Sequence, residues 1–312
     1  MKRSLILGVI FIVASYLISF FYQGINNFIH PLGTYSLFML GCIKIFDFIT
    51  LKIYKKSLIS SLFKSKKNIL SFVAISFVGG IILELIAKYS GKLWIYPSWG
   101  WTFYILTFVP GFAFYWLVIC ESYLASKSVI DYSRKGKKYV TKSFRWEDKF
   151  FKVLGILGSI ILILTLSFVY FDYSNNPSSI FIQKEDISQK TNSYILPFYF
   201  IIGFFFGLWF ILEYFQYNKK KASLIKDILH NHFSPLLAIV LGSFILAVIM
   251  ESQNLLYDMW IYINWPLEQI TFIGLPVVMF LTWPLHYILF LSLWRAFTDE
   301  QSEEVWKGDI VK

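Results

Sequence analysis

Eight apolar segments dominate this sequence, and each is close to the length of about 20 residues that a helix needs to cross a bilayer. They are residues 4–22, 33–53, 69–88, 100–123, 151–171, 194–216, 234–251 and 267–294. The chain has 312 residues, of which 57% are hydrophobic and 15% are charged, whereas soluble domains carry about 25% charged residues. The sequence therefore predicts an all-α integral membrane protein with eight transmembrane helices.

Basic residues are concentrated on one side of these predicted helices. With the N-terminus in the cytoplasm, 24 of the 29 Lys and Arg residues fall on the cytoplasmic side, four fall outside, and Lys44 lies within a helix. This excess is typical of cytoplasmic loops, and it predicts a multi-pass protein of the cytoplasmic membrane with both termini in the cytoplasm. The same distribution accounts for the net charge of +10. We therefore expect membrane lipids as partners and no binding of nucleic acid.

Similar residues recur 166 positions apart in the two halves of the chain. The matched pairs are Gly41 and Gly207, Asp47 and Glu213, Ser57 and Ser223, Trp94 and Trp260, Tyr96 and Tyr262, Trp99 and Trp265, and Pro110 and Pro276, with Glu84 and Glu251 one residue out of step. Charged groups at the centre of a membrane helix cost about 2.5–3.5 kcal/mol each, so the recurrence of the acids indicates a use for them.

This recurrence predicts two tandem parallel four-helix repeats, related by an axis along the membrane normal. The first repeat is 1–125 and the second is 150–297. A basic cytoplasmic linker at 126–149 joins them, and a cytoplasmic tail at 298–312 follows.

Five acidic residues inside the predicted helices are the first candidates for a functional site. Glu84 and Glu251 lie near the outer ends of the third and seventh helices, and Glu268 opens the eighth. Asp47 and Glu213 lie near the cytoplasmic ends of the second and sixth helices. A carboxyl group in apolar surroundings tends to keep its proton and can act as an acid. A helix start favours the ionised form instead, and the sequence leaves this choice open for Glu268.

Structural roles stay open for the two acids on the cytoplasmic side. Asp47 follows Lys44 by three residues, a spacing at which side chains on one helix meet, so the two can form an internal ion pair. Glu213 precedes Lys219 and Lys220 and can extend towards the cytoplasm. Asp47 and Glu213 are therefore secondary candidates.

Two blocks of aromatic residues follow the outer acids. The first contains Trp94 and Tyr96, and the second contains Trp260, Tyr262 and Trp265. Trp and Tyr commonly anchor helices at membrane–water interfaces. The repeated spacing, with an acid before each block, favours a role in lining a binding site.

No sequence pattern indicates a metal ion or an organic cofactor. His230 and His232 are two residues apart and would not share a helix face, and there is no glycine-rich loop for phosphate or a dinucleotide. His286 is the one histidine inside a predicted helix, and it is either a proton partner for a carboxylate or a hydrogen-bonded core residue. Cys42 and Cys120 are expected to be core residues.

The segment from Glu251 to Phe272 has the order acid, eight residues, Trp-x-Tyr, and then Pro-Leu-Glu-x-x-x-Phe. This order resembles the small membrane-embedded lycopene cyclases of the heterodimeric or fused type. The chain departs from their pattern at Gln269, where that family has a second Glu. The first half is also similar to the membrane carotenoid hydratases, through the series Gly80, Glu84, Gly91, Tyr96 and Pro110.

The resemblance implies an enzyme that isomerises a polyene or other isoprenoid lipid, such as lycopene, by acid-initiated cyclisation without a cofactor. It implies that Glu268 donates the proton, with Glu251 as its partner and Glu84 in the matching place of the first half. Aromatic residues would bind the polyene and stabilise a carbocation. Those expected to do so are Trp94, Tyr96, Trp260, Tyr262, Trp265 and Phe272.

Three alternatives to a cyclase stay open. Addition of water in place of ring closure would make the protein a hydratase-like enzyme. Parallel repeats with intramembrane acids and the matched Pro110 and Pro276 also suit a proton-coupled carrier of a hydrophobic solute. A membrane scaffold, in which the acids only pair with their neighbours, is the third.

Overall fold

The computed structural model describes residues 2–21, 29–84, 86–87, 93–96, 101–134, 144–175, 196–257 and 259–297. Within these residues the chain forms ten helices and four short strands. The helices are α1 (Lys2–Phe21), α2 (Ile29–Tyr54), α3 (Leu58–Leu62), α4 (Lys66–Leu83), α5 (Trp101–Ser133), α6 (Glu147–Asn175), α7 (Leu196–Asn218), α8 (Leu224–Leu229), α9 (Ser234–Tyr257) and α10 (Val277–Phe297). The strands are β1 (Trp94–Ile95), β2 (Ile261–Tyr262), β3 (Thr271–Phe272) and β4 (Leu275–Pro276).

Six helices in this part of the chain, α1, α4, α6, α7, α9 and α10, are long and apolar enough to cross a membrane. The helices α2 and α5 have 26 and 33 residues, and each contains three charged residues, which in α5 all lie from Glu121 onwards. The prediction of a helical, multi-pass membrane protein is confirmed. The predicted tail at 298–312 and much of the predicted linker, 135–143, lie outside the described residues, as do Gly91 and Trp99.

Both halves of the chain run through the same series of elements. In the first half α1 packs on α2, the short helix α3 follows, and α4, β1 and α5 complete the series. In the second half α6 packs on α7, and α8, α9, β2 and α10 follow. The helix α2 packs against α5, and α7 packs against α10. In addition, α5 contacts α9, and α10 contacts α4. The two helices α5 and α10 therefore each contact helices of both halves.

Glycines allow the outermost helices to approach their neighbours closely. A Cβ atom on Gly41 of α2 would lie 2.8 Å from the carbonyl oxygen of Gly8 in α1. In the second half, a Cβ atom on Gly158 of α6 would lie 2.7 Å from the carbonyl oxygen of Gly207 in α7. Small residues at helix crossings are typical of membrane proteins, because backbone contact replaces hydrophobic driving force there.

The contact between α5 and α10 forms the centre of the core. Trp116 and Phe290 stack with ring centroids 4.1 Å apart, and both are almost fully buried. The hydroxyl groups of Ser122 and Tyr287 are hydrogen-bonded at 2.6 Å, and Tyr287 also donates to the carbonyl oxygen of Gly242 at 3.1 Å. These contacts connect α5, α9 and α10.

Two strands join the halves of the molecule at one end of the bundle. β1 pairs with β2 in antiparallel orientation, with Ile95 opposite Ile261 and Trp94 opposite Tyr262. The backbone N–H of Ile263 extends the pairing by donating to the carbonyl oxygen of Leu93 at 2.9 Å. Ile95 and Ile261 are 166 positions apart, so the pairing is centred on two matched residues.

The last helix begins at Val277 and not at residue 267, where the sequence pattern placed it. Backbone φ angles are positive at Leu267, Ile273 and Gly274, and a right-handed helix requires negative φ. The chain instead forms a hairpin in which β3 pairs with β4, with Ile273 and Gly274 at its turn. Glu268 consequently lies in a turn before the hairpin and not at a helix start.

Candidate functional site

A cavity of about 160 Å³ lies among α2, α4, α5, α9 and α10, beside the paired strands β1 and β2. Aromatic and apolar side chains make up most of its wall, and the lining residues of the described chain include no Lys or Arg. Its polar lining residues are Tyr35, Ser36, Glu84, Tyr96, Tyr115, Tyr262, Thr282 and His286. The cavity therefore combines an apolar interior with a few hydrogen-bonding groups, which is typical of a small-molecule site.

A buried acid–tyrosine pair forms one side of the cavity. Glu84 follows the last residue of α4 and is 4% exposed. The Tyr96 hydroxyl donates to Glu84 Oε1 at 2.5 Å, and Trp94 Nε1 donates to the Tyr96 hydroxyl at 3.1 Å. Phe112 also lines the cavity and packs on Gly80, where a Cβ atom would lie 2.3 Å from the Phe112 ring. The lack of a side chain at Gly80 thus makes room for the wall beside Glu84.

A second acid–tyrosine pair lies in the other half. The Tyr262 hydroxyl donates to Glu251 Oε1 at 2.5 Å, and Asn254 Nδ2 donates to Glu251 Oε2 at 3.2 Å. The Asn254 side chain also positions the backbone of Trp260. It accepts from Trp260 N at 3.1 Å and donates to Trp260 O at 3.0 Å. Tyr262 and Trp260 line the cavity, whereas Glu251 is fully buried and is not among its described lining residues.

The pairing of β1 with β2 brings these two groups together. Trp94 lies opposite Tyr262 in the strand register, and Trp265 Nε1 donates to the carbonyl oxygen of Leu93 at 2.9 Å. The predicted site residues that line the cavity are Glu84, Trp94, Tyr96, Trp260, Tyr262 and Trp265. These aromatic residues therefore form part of the cavity wall.

Two of the predicted site residues lie elsewhere. Glu268 is partly buried in the turn before β3 and is not among the described residues that line the cavity. Phe272 is 44% exposed, and its ring centroid lies 5.3 Å from that of Phe280 and 6.4 Å from that of Phe244. Neither residue is therefore part of the described cavity wall.

The secondary acids hold the short helices against the long ones. Ser57, the N-cap of α3, donates its hydroxyl to Asp47 on α2. In the second half, Ser223 caps α8 and donates to Glu213 Oε2 at 2.5 Å. Glu213 also accepts from Trp209 Nε1 at 2.8 Å. Because Glu213 is fully buried, it does not extend to the solvent in the manner that its neighbouring lysines suggested.

Sequence reasoning considered His286 but did not select Tyr35 and Tyr115, two further polar residues that line the cavity. Tyr35 packs edge-on against Trp260, with ring centroids 5.6 Å apart. The Tyr115 hydroxyl lies 3.4 Å from His286 Nδ1. The residues that match Tyr35 and Tyr115 at the offset of 166 are Ile201 and Leu281, so the repeat contained no signal for either tyrosine.

The carboxyl group and the aromatic rings at this cavity are suited to proton transfer. Among the described residues, no group of three or more His, Cys, Asp or Glu side chains is placed to hold a metal ion. A carboxyl group in a low-dielectric cavity favours its neutral, proton-donating form. The faces of the surrounding aromatic rings attract cations. A neutral acid beside aromatic rings is suited to generating and stabilising a carbocation.

No protein-family model matches the chain, and no curated protein or solved structure gives a significant match.

Proposed function

We propose that this protein is a membrane-embedded enzyme that isomerises a polyene or other isoprenoid lipid by acid-initiated cyclisation. The observation that carries the proposal is an aromatic cavity of about 160 Å³ with the carboxyl group of Glu84 in its wall. The similarity of the segment from Glu251 to Phe272 to membrane lycopene cyclases supports the same reaction class.

The size of the cavity favours one end of a long lipid as the reacting group. A protein cavity of about 150 Å³ accommodates one benzene molecule, so this cavity has room for a single six-membered ring. The rest of a polyene would remain in the membrane. Phe114 lines the cavity and is 36% exposed, which supports a lateral opening towards the lipid at this side chain.

Glu84 is the acid that we propose as proton donor, in place of Glu268. Glu84 lines the cavity, and its hydrogen bond from Tyr96 orients the carboxyl group. In its protonated form, the Glu84 carboxyl group would transfer its proton to the substrate. Glu251 would support the same site indirectly, since it holds Tyr262 against the cavity.

The aromatic wall would stabilise the cation that protonation creates. Trp94, Trp260 and Trp265 line the cavity together with Tyr96 and Tyr262. Cation–π contacts contribute about 0.5–1 kcal/mol at exposed sites and about 2 kcal/mol or more when they are desolvated. Because no Lys or Arg is among the described lining residues, no fixed positive charge would oppose the intermediate.

We also propose that the chain crosses the cytoplasmic membrane eight times as two tandem repeats, with both termini in the cytoplasm. The order of elements and their packing partners match between the halves. The helices α2 and α5 would be the two further spans, since both exceed the length of about 20 residues that a bilayer requires. The distribution of Lys and Arg supports the orientation.

The test is expression of the full chain in a lycopene-accumulating host, followed by extraction and chromatography of the pigments. We expect cyclised products from the unaltered protein. We expect Glu84→Gln to lower product formation about 10²–10⁴-fold, the usual contribution of a general acid. Glu268→Gln is the matched comparison, and it should retain activity if Glu84 is the donor.

The products distinguish the remaining alternatives. A tertiary alcohol in place of a ring would identify a hydratase-like enzyme. Unchanged lycopene and related acyclic polyenes would reject the enzyme proposal and favour a carrier of hydrophobic solutes. Loss of activity in Glu268→Gln with full activity in Glu84→Gln would keep the reaction and reverse the choice of acid.

A further inference from the structure

One histidine, His286, lines the cavity but has no part in the proton-donating step. His286 and Tyr115 both line the cavity, on α10 and α5. The Tyr115 hydroxyl lies 3.4 Å from His286 Nδ1. The ring centroids of Trp283 and Phe205 lie 5.6 Å and 5.8 Å from that of His286. The imidazole ring is thus held between aromatic neighbours, with one of its nitrogens engaged by Tyr115.

We propose that His286 is the base that removes a proton from the cyclised cation and so completes the reaction. This assignment rests on the function proposed above. With Nδ1–H donating to the Tyr115 hydroxyl, Nε2 keeps its lone pair and can accept a proton. Tyr115 acts as a positioning residue, because its hydroxyl group engages Nδ1 and so orients the ring.

The composition of the cavity wall favours His286 over the second carboxylate for this step. Glu251 is not among the described lining residues, and the Tyr262 hydroxyl occupies its Oε1. The hydroxyl groups of Ser36, Thr282 and the tyrosines are weak bases at neutral pH. The neutral imidazole of His286 offers a nitrogen lone pair at the cavity wall, and it can accept a proton there.

The proposed steps balance in atoms and charge. The O–H bond of Glu84 breaks, and a C–H bond forms at the less substituted carbon of the terminal double bond, leaving a tertiary cation. The electrons of a second double bond form the ring C–C bond and move the cation to a ring carbon. A neighbouring C–H bond then breaks, its electrons form the ring double bond, and its proton passes to His286. Return of that proton to the Glu84 carboxylate restores the enzyme, and the product is an isomer of the substrate.

The test is an assay of the full-length protein in membranes with lycopene in D₂O, measuring cyclised product and deuterium in the recovered substrate. We expect His286→Gln to lower product formation about 10²-fold or more, as removal of a general base does. We also expect it to retain deuterium exchange into lycopene, because protonation by Glu84 remains reversible. Glu84→Gln should lose both product and exchange.

Several results would overturn the assignment. One is that His286→Gln forms as much product as the unaltered protein. Another is that His286→Gln stays folded in detergent but loses both product formation and deuterium exchange. If His286→Gln fails to fold, Tyr115→Phe serves instead, and it should lower product formation about tenfold while retaining exchange; unchanged product would then reject the proposal. An unaltered protein that forms no product and exchanges no deuterium would reject the proposed function itself.

Discussion

The two halves of this protein share their acid–tyrosine pairs but differ in the space beside them. Glu84 with Tyr96 and Glu251 with Tyr262 have the same hydrogen bond, of 2.5 Å in each case. Only Glu84 is among the residues that line the cavity in the described chain. The halves therefore share these chemical groups, while the packing around them leaves only Glu84 at the described cavity wall.

Matching positions of α2 and α7 have different side chains. Tyr35 and Met39 of α2 line the cavity. Their matches in α7 are Ile201 and Phe205, which are buried core residues at 4% and 5% exposure. The ring of Phe205 lies against His286. Apolar side chains of α7 thus occupy the positions that match two cavity-lining residues of α2.

The largest effect should come from substitution of Glu84, which we compare with substitution of Glu251. We expect Glu84→Gln to lower cyclisation about 10²–10⁴-fold, because it removes the transferable proton. Glu251→Gln keeps an acceptor for Tyr262 and should cost about tenfold through a weaker hydrogen bond. Rates of product formation in isolated membranes measure both. Equal losses would mean that the halves act as one symmetric site.

Copying the second half into the first should remove activity by filling the cavity. Met39→Phe places at position 39 the ring that Phe205 has at the matching position. Because the cavity is about 160 Å³, we expect the new ring to exclude the substrate and lower product formation at least about tenfold. The reverse change, Phe205→Met, is the matched control and should have a smaller effect. Wild-type activity in Met39→Phe would show that the substrate does not occupy this space.

The glycine crossings should differ modestly in their tolerance of a methyl group. In Gly41→Ala, the new Cβ atom would lie 2.6 Å from Ile12 and 2.8 Å from the Gly8 carbonyl oxygen. In Gly207→Ala the corresponding distances begin at 2.9 Å. Overpacking typically costs about 1–3 kcal/mol, and we expect Gly41→Ala to be near the upper end. Thermal unfolding in detergent would measure both, and a larger loss in Gly207→Ala would contradict the ranking.

The smallest effects should come from the serine caps of the short helices. Loss of an N-cap costs about 0.5–2 kcal/mol. We expect Ser57→Ala to be near the upper end of that range, because Asp47 then loses its hydroxyl donor. Ser223→Ala should cost less, since Glu213 keeps the donors Trp209, Leu224 and Ile225. Equal shifts in the unfolding temperature would argue against this difference.

Several site residues could be predicted from the sequence because their spacing recurs. Trp94 and Tyr96 recur as Trp260 and Tyr262 at the offset of 166, each pair follows an acid, and all four line the cavity. Tyr115 and His286 could not be predicted in this way. Their contact joins two helices 171 positions apart in sequence, and no local pattern specifies such a contact.

The position of Glu268 illustrates a different limit. Its surroundings, Pro-Leu-Glu followed by apolar residues, are compatible with a helix start, and the matching segment of the first half is helical from Trp101. In the second half the turn at Ile273 and Gly274 adopts positive φ angles and forms a hairpin. A hydrophobicity pattern cannot distinguish these two conformations, because a short apolar run is compatible with a helix and with a strand.

The sequence by itself determined the helical membrane class, because about 20 consecutive apolar residues have few other ways to satisfy their backbone in lipid. It also determined which acids and aromatic residues recur. Tertiary structure alone decided that Glu84 borders the cavity while Glu251 is enclosed behind Tyr262. The physical reason is that a cavity is space left between side chains of several helices, and its position depends on how Met39, Phe205 and their neighbours pack and not on any one segment.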